Sequence, residues 1–552
     1  MKKKSASKNG PPRHRLGVGG FFTFRLFVAV LLCSAGVIVV SFALGPAAAG
    51  QPRTGSAQTS PPKVGFAAAN KIAPEVLADT AYGKSASIII LLADQGDVSA
   101  GYGMRDQDAR GWFVYNTLSQ HAARTQRGIR NFLDSRGVTY QAFWVVNMIV
   151  ANADRALVEA LAARADVARV DSNRVTRWIE DPSIANFGVA PGNPATVEWG
   201  VQNVNAPQVW AMGFTGQGIV IGNEDTGMRW THAALQPHYR GWNGVTADHN
   251  YNWHDSIHDS VGNPCGNDSP FPCDDDAHGT HTTGSTCGDD GMGNQIGVAP
   301  GAKWIGCRNM DQGNGTPARY TECFQFFIAP TDLNGQNPNP ALRPHVINNS
   351  WICPASEGCT TGDELRMIVE NTQAAGIFVE ASAGNAGSAC STVNAPPAIY
   401  DASFSTGAIT ITNQLALFSS RGPVTLDGSN RLKPNISAPG VNVRSSVNTS
   451  DTSYSNFSGT SMAGPHVVGV VALLWSARPQ LQRDIANTKT ILQNTANPNV
   501  TVSPPQTCGG IPNTTIPNNS FGYGRVDALA AVLSVPRSGP SPRPRPTRPP
   551  RP

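Results

Sequence analysis

The sequence predicts an α/β fold with a mostly parallel sheet and helices on both faces, preceded by a smaller α+β domain. Strand-like and helix-like segments alternate from residue 201 to residue 533, which is typical of a parallel sheet. Before them, residues 87–170 follow the order strand, helix, two strands, helix and strand, the βαββαβ pattern of a ferredoxin-like domain. Residues 173–198 lack periodicity and contain several Pro and Gly residues, which predicts a linker between the two domains.

Length and charge agree with this organisation. The chain has 552 residues, of which 40% are apolar and 14% charged, enough for two folded units with tails. Residues 1–15 carry six Lys or Arg and residues 537–552 carry five, with no acidic residue in either segment. Without these eleven charges the formal net charge of +4 becomes −7 for the body. An acidic body argues against a nucleic-acid-binding core, so we expect no nucleic-acid partner.

The N-terminus is typical of an export signal. Basic residues precede an uncharged apolar segment at 26–44, and the alanines at 47–49 offer a cleavage site, so residues 1–49 are the predicted signal. Because the segment 26–44 is also long enough to span a bilayer, its retention as a membrane anchor stays open. In both cases we expect the rest of the chain to be exported, either secreted or anchored facing outside.

The cysteines fit an exported protein. Nine of the ten follow the signal, and their spacing predicts small disulfide loops. The close pairs are Cys265 with Cys273, Cys307 with Cys323, and Cys353 with Cys359. An odd number leaves one thiol unpaired, and the sequence alone does not fix the connectivity. A zinc site is the rival interpretation, but the chain has no paired C-x-x-C knuckles.

Composition sets the remaining boundaries. Residues 50–83 are small and polar and are expected to form a flexible leader, followed by the α+β domain at 84–175. The linker takes residues 176–198 and the α/β domain residues 199–535. The Pro- and Arg-rich residues 536–552 are predicted to be a disordered tail. No convincing catalytic cluster occurs in the α+β domain, so the chemistry should lie in the α/β domain.

Ser461 stands where an apolar run typical of a buried helix begins. Residues 459–466 read Gly-Thr-Ser-Met-Ala-Gly-Pro-His, and Val, Ala, Leu and Trp dominate residues 467–475. A helix N-terminus favours negative charge through its free N–H groups and its dipole, so the Ser461 N–H is a candidate oxyanion donor. A serine hydroxyl is a weak nucleophile, however, and it needs a base that a third group orients.

Asp225 and His278 are the candidates for the orienting group and the base. The apolar residues 218–222 predict a buried strand that ends near Asp225, and His278 precedes a glycine at a predicted helix start. His278 would be the general base, with its other ring nitrogen held by Asp225. The alternatives are that Asp225 only caps a turn, or that His278, His281 and Asp276 bind a metal ion. We expect His281 instead to be a structural hydrogen-bonding residue.

Asn385 completes the set of candidates. It follows a strand-like run at 379–383 and a glycine, so its side-chain N–H can donate to an oxyanion opposite the Ser461 N–H. Such a donor typically contributes about 10²–10³ in rate. Taken alone, an Asn after Gly would be only a turn residue.

Asp225, His278, Asn385 and Ser461 follow one another in this order along the chain, and each has a glycine close to it in sequence. Together they resemble the motifs of the subtilisin-like serine proteases, the subtilases, and most closely their bacillopeptidase F-like branch. The resemblance covers residues 199–533. The stretches that carry it are Asp225-Thr226-Gly227, His278-Gly279-Thr280-His281, Ser382-Ala383-Gly384-Asn385, residues 459–466, and residues 296–300, 346–351, 436–440 and 522–527.

The resemblance implies a subtilisin-like three-layer fold and an endopeptidase that cleaves protein or peptide substrates through an acyl-enzyme, with no cofactor required for the chemistry. Ser461 would attack the scissile carbonyl, His278 would take its proton, and Asp225 would orient His278. Asn385 and the Ser461 N–H would hold the oxyanion. The resemblance also implies that residues 84–175 are an inhibitory propeptide, removed by self-cleavage between residues 173 and 198.

Two features depart from the family pattern. In the family, the strand beside the substrate commonly continues from Ser and an apolar residue into Gly. Here Ser350 and Trp351 are followed by Ile352, whose side chain is expected to narrow the first specificity pocket. Together with Gly384 these three residues form the predicted substrate-binding set. Glu224 replaces an apolar residue before the candidate aspartate, and solvation of Glu224 is favoured over contact with substrate.

A structural calcium ion is common in the family. A carboxylate-rich region of this chain could suit such a hard cation, although its spacing matches no calcium loop and solvated loops explain it equally well. Its residues are Asp268, Asp274, Asp275, Asp276, Asp289 and Asp290.

Two other classes of function are alternatives to a peptidase. A subtilase fold without activity could serve as a surface or binding protein, since a fold does not fix a function, but all four chemical positions are filled. An esterase-type hydrolase would carry its nucleophile in G-x-S-x-G, whereas Ser461 follows Gly-Thr. Nothing in the sequence identifies the natural substrate.

Overall fold

The computed structural model describes residues 71–177 and 196–537. The predicted export signal and membrane anchor, the first part of the leader, most of the linker and nearly all of the tail lie outside these residues.

The N-terminal domain has one antiparallel sheet with helices. Its elements are α1 (Pro74–Asp79), β1 (Ser85–Leu92), α2 (Gln107–Thr125), α3 (Arg127–Asp134), β2 (Tyr140–Phe143), β3 (Met148–Asp154), α4 (Arg155–Ala162), β4 (Val167–Ser172) and the short β5 (Thr176–Arg177). The sheet order is β2-β3-β1-β4. The order of strands and helices therefore matches the predicted βαββαβ pattern, while the role of the domain as a propeptide stays a prediction.

The central strand β1 is apolar on both faces because both faces are covered. Ile88 and Ile90 belong to the core between the sheet and its helices α3 and α4. Ile89 and Leu91 point the other way and belong to a core that also contains Phe324 of the second domain. The uninterrupted apolar run is the consequence, since alternation of polar and apolar residues needs one solvated face.

The domain begins before residue 84, so the expectation of a flexible leader over 50–83 is wrong for its last residues. Pro74 is the first residue of α1, where its missing N–H costs nothing, and Val76 of this helix is buried in the core. Ala73 N–H donates to Val170 O at 2.9 Å, which ties the segment to β4. A single buried valine in a six-residue helix is a weak signal in sequence.

The second domain is the predicted α/β fold. Its helices are α5 (Trp199–Asn203), α6 (Ala206–Trp210), α7 (His278–Cys287), α8 (Pro317–Ile328), α9 (Arg366–Ala374), α10 (Thr460–Ala477), α11 (Ile485–Asn494) and α12 (Ala528–Leu533). Its strands are β6 (Thr196–Val197), β7 (Val220–Asp225), β8 (Trp253–Asp255), β9 (Asn294–Gln295), β10 (Lys303–Arg308), β11 (Asn314–Gly315), β12 (Val346–Asn349), β13 (Phe378–Ser382), β14 (Phe404–Ile409), β15 (Ile436–Pro439), β16 (Val443–Ser446), β17 (Tyr454–Phe457), β18 (Thr507–Cys508) and β19 (Ile511–Pro512).

Seven of these strands form one parallel sheet between two helical layers. The order is β15-β14-β13-β12-β7-β10-β8, and the pairings between neighbours are parallel. On one face Phe378 packs in a core with Val471 of α10. On the other face Ile347 packs with Phe324 of α8. The three-layer α/β fold is therefore confirmed.

The helix α10 crosses the middle of the domain. Among the described residues it is the one helix long and apolar enough to cross a membrane, and 94% of that stretch is buried inside the protein. Its apolar character is therefore explained by the core that it fills, against the sheet on one side and α12 on another.

Four disulfides join residues of the second domain. The three predicted loops are present, between Cys265 and Cys273, Cys307 and Cys323, and Cys353 and Cys359. A fourth, between Cys390 and Cys508, spans 118 residues and was not predicted. Among the nine cysteines that the structure describes, the unpaired thiol is that of Cys287, which is buried.

Candidate active site

The four candidate residues lie at the carboxyl ends of strands or at the starts of helices. Asp225 is the last residue of β7, and Asn385 follows the end of β13 by three residues. His278 is the first residue of α7 and Ser461 the second of α10. Asp225, His278 and Ser461 are 0%, 3% and 4% exposed, so any chemistry here takes place largely shielded from water.

His278 and Asp225 form a buried hydrogen-bonded pair. His278 Nδ1 lies 2.7 Å from Asp225 Oδ1, which also accepts from the Thr226 N–H at 2.8 Å. Burial lowers the pKa of His278, but the charge of Asp225 and its hydrogen bond outweigh burial and leave this pKa raised. With Nδ1 occupied, Nε2 is the ring nitrogen left for proton transfer.

A glycine permits the close approach of α7 to β7. A Cβ atom on Gly279 would stand 2.0 Å from the carbonyl oxygen of Gly227, in the turn after β7. Only a residue without a side chain allows this distance. The glycine next to His278 therefore brings the imidazole within reach of Asp225.

Ser461 is tied to the end of β12 by two reciprocal hydrogen bonds. Its hydroxyl donates to Ser350 O at 3.0 Å, and the Ser350 hydroxyl donates to Ser461 O at 2.9 Å. Among the hydrogen bonds of the described residues, none joins Ser461 Oγ to His278. In this conformation the Ser461 hydroxyl is therefore hydrogen-bonded to a backbone carbonyl and not to the candidate base, His278.

The Asn385 side chain is fixed in one orientation. Its Oδ1 accepts from both the N–H and the hydroxyl of Thr460, each at 2.9 Å. Its Nδ2 is left facing the start of α10, 3.5 Å from the position that a Cβ on Gly459 would occupy. The Asn385 amide therefore lies beside the start of α10, and its role as an oxyanion donor stays a prediction. The anchoring role of Thr460 was not predicted, because it depends on contact between two distant segments.

The predicted substrate-binding residues line the ends of β12 and β13. Trp351 is fully buried, and its ring stacks on Tyr320 of α8 with centroids 3.9 Å apart. Ile352 is half-buried. Gly384 has φ +101°, and its N–H donates to Thr460 Oγ1 at 3.2 Å. Their contact with a substrate stays a prediction.

His281 is a structural residue, as expected. Its Nε2 lies 3.0 Å from Val443 O and 3.2 Å from Ser455 O, and its ring stacks on Phe457. Burial lowers the pKa of His281 to about 3, and nearby His278 adds to this effect. A neutral ring bonded to two carbonyls is a poor candidate for a metal ligand.

The aspartate-rich region holds loops together. Asp274 accepts from the side chains of Thr226 and Thr280 and from backbone N–H groups, and Asp275 lies 3.3 Å from Arg308. Within residues 71–177 and 196–537, no group of three or more His, Cys, Asp or Glu side chains could hold a metal ion. Asp274 and Asp275 therefore have protein partners in this structure, and a calcium ion stays a prediction.

The expectation that Glu224 is solvated is wrong. Its side chain is 0% exposed, and within the described residues neither carboxyl oxygen meets hydrogen-bond geometry with a partner, although Asn309 lies nearby. Burial raises the pKa of Glu224 well above its usual range, and the charge of Asp225 adds to this effect. The reason is the position of β7 between β10 and β12, in a sheet that helices cover on both faces.

This chain is similar to several bacterial proteases. Bacillopeptidase F of Bacillus subtilis is 38% identical over 439 residues, which are 76% of this chain but only 28% of bacillopeptidase F. Subtilisin E of the same species is 29% identical over 341 residues, 60% of this chain and 76% of subtilisin E. A thermostable alkaline protease of Halalkalibacterium halodurans is 31% identical over 307 residues, 54% of this chain and 69% of that protease.

The family model described as "Subtilase family" matches residues 216–524. This range takes in more than half of the chain and contains Asp225, His278, Asn385 and Ser461. This chain therefore belongs to the subtilase family of subtilisin-like serine peptidases.

Proposed function

We propose that the protein is an exported serine endopeptidase, made as a self-processing zymogen, that hydrolyses peptide bonds through an acyl-enzyme on Ser461. The observation that carries the proposal is the buried pair of His278 and Asp225, 2.7 Å apart, in the same site as a serine at a helix start and an anchored amide donor. A base, an orienting carboxylate, a nucleophile and oxyanion donors are the parts that acyl transfer needs.

In the proposed reaction, His278 Nε2 takes the hydroxyl proton of Ser461 as Oγ bonds to the scissile carbonyl carbon. The carbonyl oxygen becomes an oxyanion that accepts from the Ser461 N–H and from Asn385 Nδ2. His278 then gives its proton to the departing amine and the C–N bond breaks, which leaves an ester on Ser461. Water attacks this ester by the same steps and releases the acid product.

The hydrogen bond from Ser461 Oγ to Ser350 O must break before attack. Ser350 lies in the predicted substrate-binding set, directly after β12. We infer that a backbone N–H of the bound substrate takes over Ser350 O as its acceptor and frees the hydroxyl to turn to His278. Substrate binding and activation of the nucleophile would then be coupled.

We further propose that the N-terminal domain is an intramolecular inhibitor. Its last described residues form β5, which pairs antiparallel with β11, Arg177 opposite Asn314 and Thr176 opposite Gly315. Just before it, Arg174 N–H donates to Glu357 O at 3.2 Å. A chain that adds a strand along the second domain in this way occupies surface that an extended peptide substrate would use.

Export is supported by the predicted signal and by the four disulfides, which persist in oxidising compartments. The natural substrate is left open, as is retention of residues 26–44 as an anchor. The proposed chemistry uses only the side chains and N–H groups named above. A structural calcium ion would therefore take no part in these chemical steps.

The test is casein hydrolysis by purified residues 50–552, beside the Ser461→Ala variant, with mass spectrometry of the N-terminus. We expect hydrolysis together with a new N-terminus between residues 174 and 198, and neither in the variant. Cleavage at that place in pure Ser461→Ala would refute self-processing.

An inactive binding protein is the alternative function. A serine-directed fluorophosphonate separates the two, since it labels Ser461 only if the base and the oxyanion donors work. Absence of both labelling and hydrolysis in the folded chain, after removal of the N-terminal domain by another protease, would refute the proposed activity.

A further inference from the structure

The second carboxylate oxygen of Asp225 has a partner of its own on α7. Thr282 Oγ1 lies 3.0 Å from Asp225 Oδ2, while Oδ1 faces His278. Thr282 and Asp225 are both 0% exposed, so water does not compete for this contact. The Thr282 hydroxyl also has a second acceptor within reach, Gly279 O at 3.2 Å. The acceptor that receives the single hydroxyl proton decides whether the carboxylate is fully hydrogen-bonded.

Asn223, on β7, sets the direction of this hydroxyl. Its Nδ2 donates to Thr282 Oγ1 at 3.0 Å and to Thr283 Oγ1 at 2.8 Å. A hydroxyl that accepts from an amide keeps its own proton for another acceptor. Thr283 gives its proton to Gly279 O at 2.8 Å, so that carbonyl already has a donor. The charged carboxylate is then the stronger acceptor for Thr282.

The opposite end of the Asn223 amide is anchored toward Ser461. Asn223 Oδ1 accepts from Asn348 Nδ2 at 2.8 Å, and the same Nδ2 lies 2.8 Å from Ser350 Oγ. Ser350 in turn donates to Ser461 O. Both ends of the amide are therefore occupied by buried groups, which fixes its orientation. A continuous chain of hydrogen bonds joins the carboxylate to the backbone of the nucleophile.

We propose that Thr282 is a positioning residue of the active site, whose hydroxyl, directed by Asn223, holds Asp225 Oδ2 and so keeps Oδ1 facing His278. This inference rests on the proposed peptidase function and deepens it. A buried carboxylate that loses a hydrogen-bond donor is less stable in its charged form. Protonation of His278 neutralises the pair and offsets this loss of stability. Loss of the Thr282 hydroxyl therefore favours the imidazolium, which cannot act as a base.

Other titratable groups surround the pair, and the experiment must separate their effects from that of Thr282. They are Glu224 on β7, Asp274 and Asp276 in the loop before α7, and His281 on α7. Removal of one hydroxyl from Thr282 leaves all four side chains in place. A shift that follows the hydroxyl is therefore assigned to Thr282.

The test compares Thr282→Val with Thr282→Ser, which keeps the hydroxyl, and with Thr286→Val. Thr286 is a matched control, because it is buried on the same helix and its hydroxyl donates to a backbone carbonyl, Thr282 O, at 3.0 Å. The readout is kcat/KM for a peptide substrate across the acidic and neutral range. In Thr282→Val we expect the acidic limb of the profile to move up by about 0.5–1 pH unit. It should stay in place in the other two variants.

A second measurement does not depend on turnover. In the full chain with Ser461→Ala, the titration of the His278 ring is followed by NMR with and without Thr282→Val, and we expect the same upward shift. If Thr282→Val does not fold, Thr282→Ala removes the hydroxyl with less bulk.

An unchanged His278 titration without the hydroxyl, or an equal shift in Thr286→Val, would overturn the positioning role. A wild-type chain that cleaves no peptide would refute the proposed function instead. The NMR titration would then still decide the role of Thr282.

Discussion

Glu380 is a carboxyl group that the fold holds away from water. It lies on β13 and is 0% exposed, and neither of its oxygens meets hydrogen-bond geometry with a partner in the part of the chain that the structure describes. It faces α10, since a Cβ on Gly464 would stand 2.6 Å from its oxygens. Burial raises the pKa of Glu380 to about 8, against a smaller lowering from nearby Thr406. We therefore expect its ionisation to destabilise the folded chain at alkaline pH.

The magnitude follows from the folded and unfolded pKa values. A glutamate of an unfolded chain titrates near pH 4.3, about 3.7 units lower than Glu380 in the fold. The pKa of Glu380 is higher in the folded chain than in the unfolded chain. Its contribution to the free energy of unfolding is therefore fully present below the unfolded pKa and is lost as the pH rises toward 8. The loss is about 5 kcal/mol. Glu380→Gln has no proton to lose, so its free energy of unfolding should change less over this range and exceed that of the parent at the alkaline end.

Urea unfolding at a series of pH values measures the effect. All variants carry Ser461→Ala, so that self-cleavage does not interfere. Glu159→Gln is the control, since Glu159 is exposed, and it should follow the parent at every pH. If Glu380→Gln lost stability with pH in parallel with the parent, ionisation of Glu380 would not be the cause and the reasoning would be refuted.

Other variants test the oxyanion donor, the longest disulfide loop and the domain contact. Asn385→Ala should lower kcat by about 10²–10³, the size known for such a donor in subtilisin, and an unchanged kcat would exclude the role. The double variant Cys390→Ser, Cys508→Ser should lose about 5 kcal/mol of unfolding free energy, because the disulfide closes a loop of 118 residues. Loss of the disulfide between Cys353 and Cys359, which closes a loop of six residues, should cost about 2 kcal/mol. Equal losses in urea unfolding would contradict the loop-entropy account. Arg110→Met should destabilise the uncut chain by about 2 kcal/mol, because Arg110 Nε donates to Ala374 O at 2.7 Å; urea unfolding without a change would exclude this contribution.

The candidate active-site residues could be chosen from the sequence because each lies in a short stretch with a recognisable pattern. The strand before Asp225, the glycine after His278 and the apolar helix after Ser461 are all visible within short stretches. Parallel strands bring their carboxyl ends to one edge of a sheet, so the strand before Asp225 also predicted where Asp225 would meet His278, which lies 2.7 Å away. The three short disulfides were predictable for the same reason, since their cysteines are close in sequence.

Features that depend on distant contacts were not predictable. The solvation expected for Glu224 was wrong because only the sheet order shows that β7 is an interior strand. Cys390 finds Cys508 only through the folded chain. In the sequence, Thr282 is one of several small residues after His278, and a helical threonine commonly bonds the carbonyl of the preceding turn. Its contact with Asp225 depends on how α7 approaches β7.

The N-terminal domain shares a core with α8. This shared core determines whether cleavage of the linker would release the domain. Leu91 and Phe143 would keep their packing after the proposed cleavage between residues 173 and 198, and β5 would keep its pairing with β11 after a cut beyond residue 177. The cut itself therefore releases nothing. Under the proposed function, it would replace a tethered inhibitor, present at a high effective concentration, with a separate molecule whose occupancy depends on dilution. Peptidase activity would thus appear not at the moment of cleavage but when the freed domain is diluted or digested.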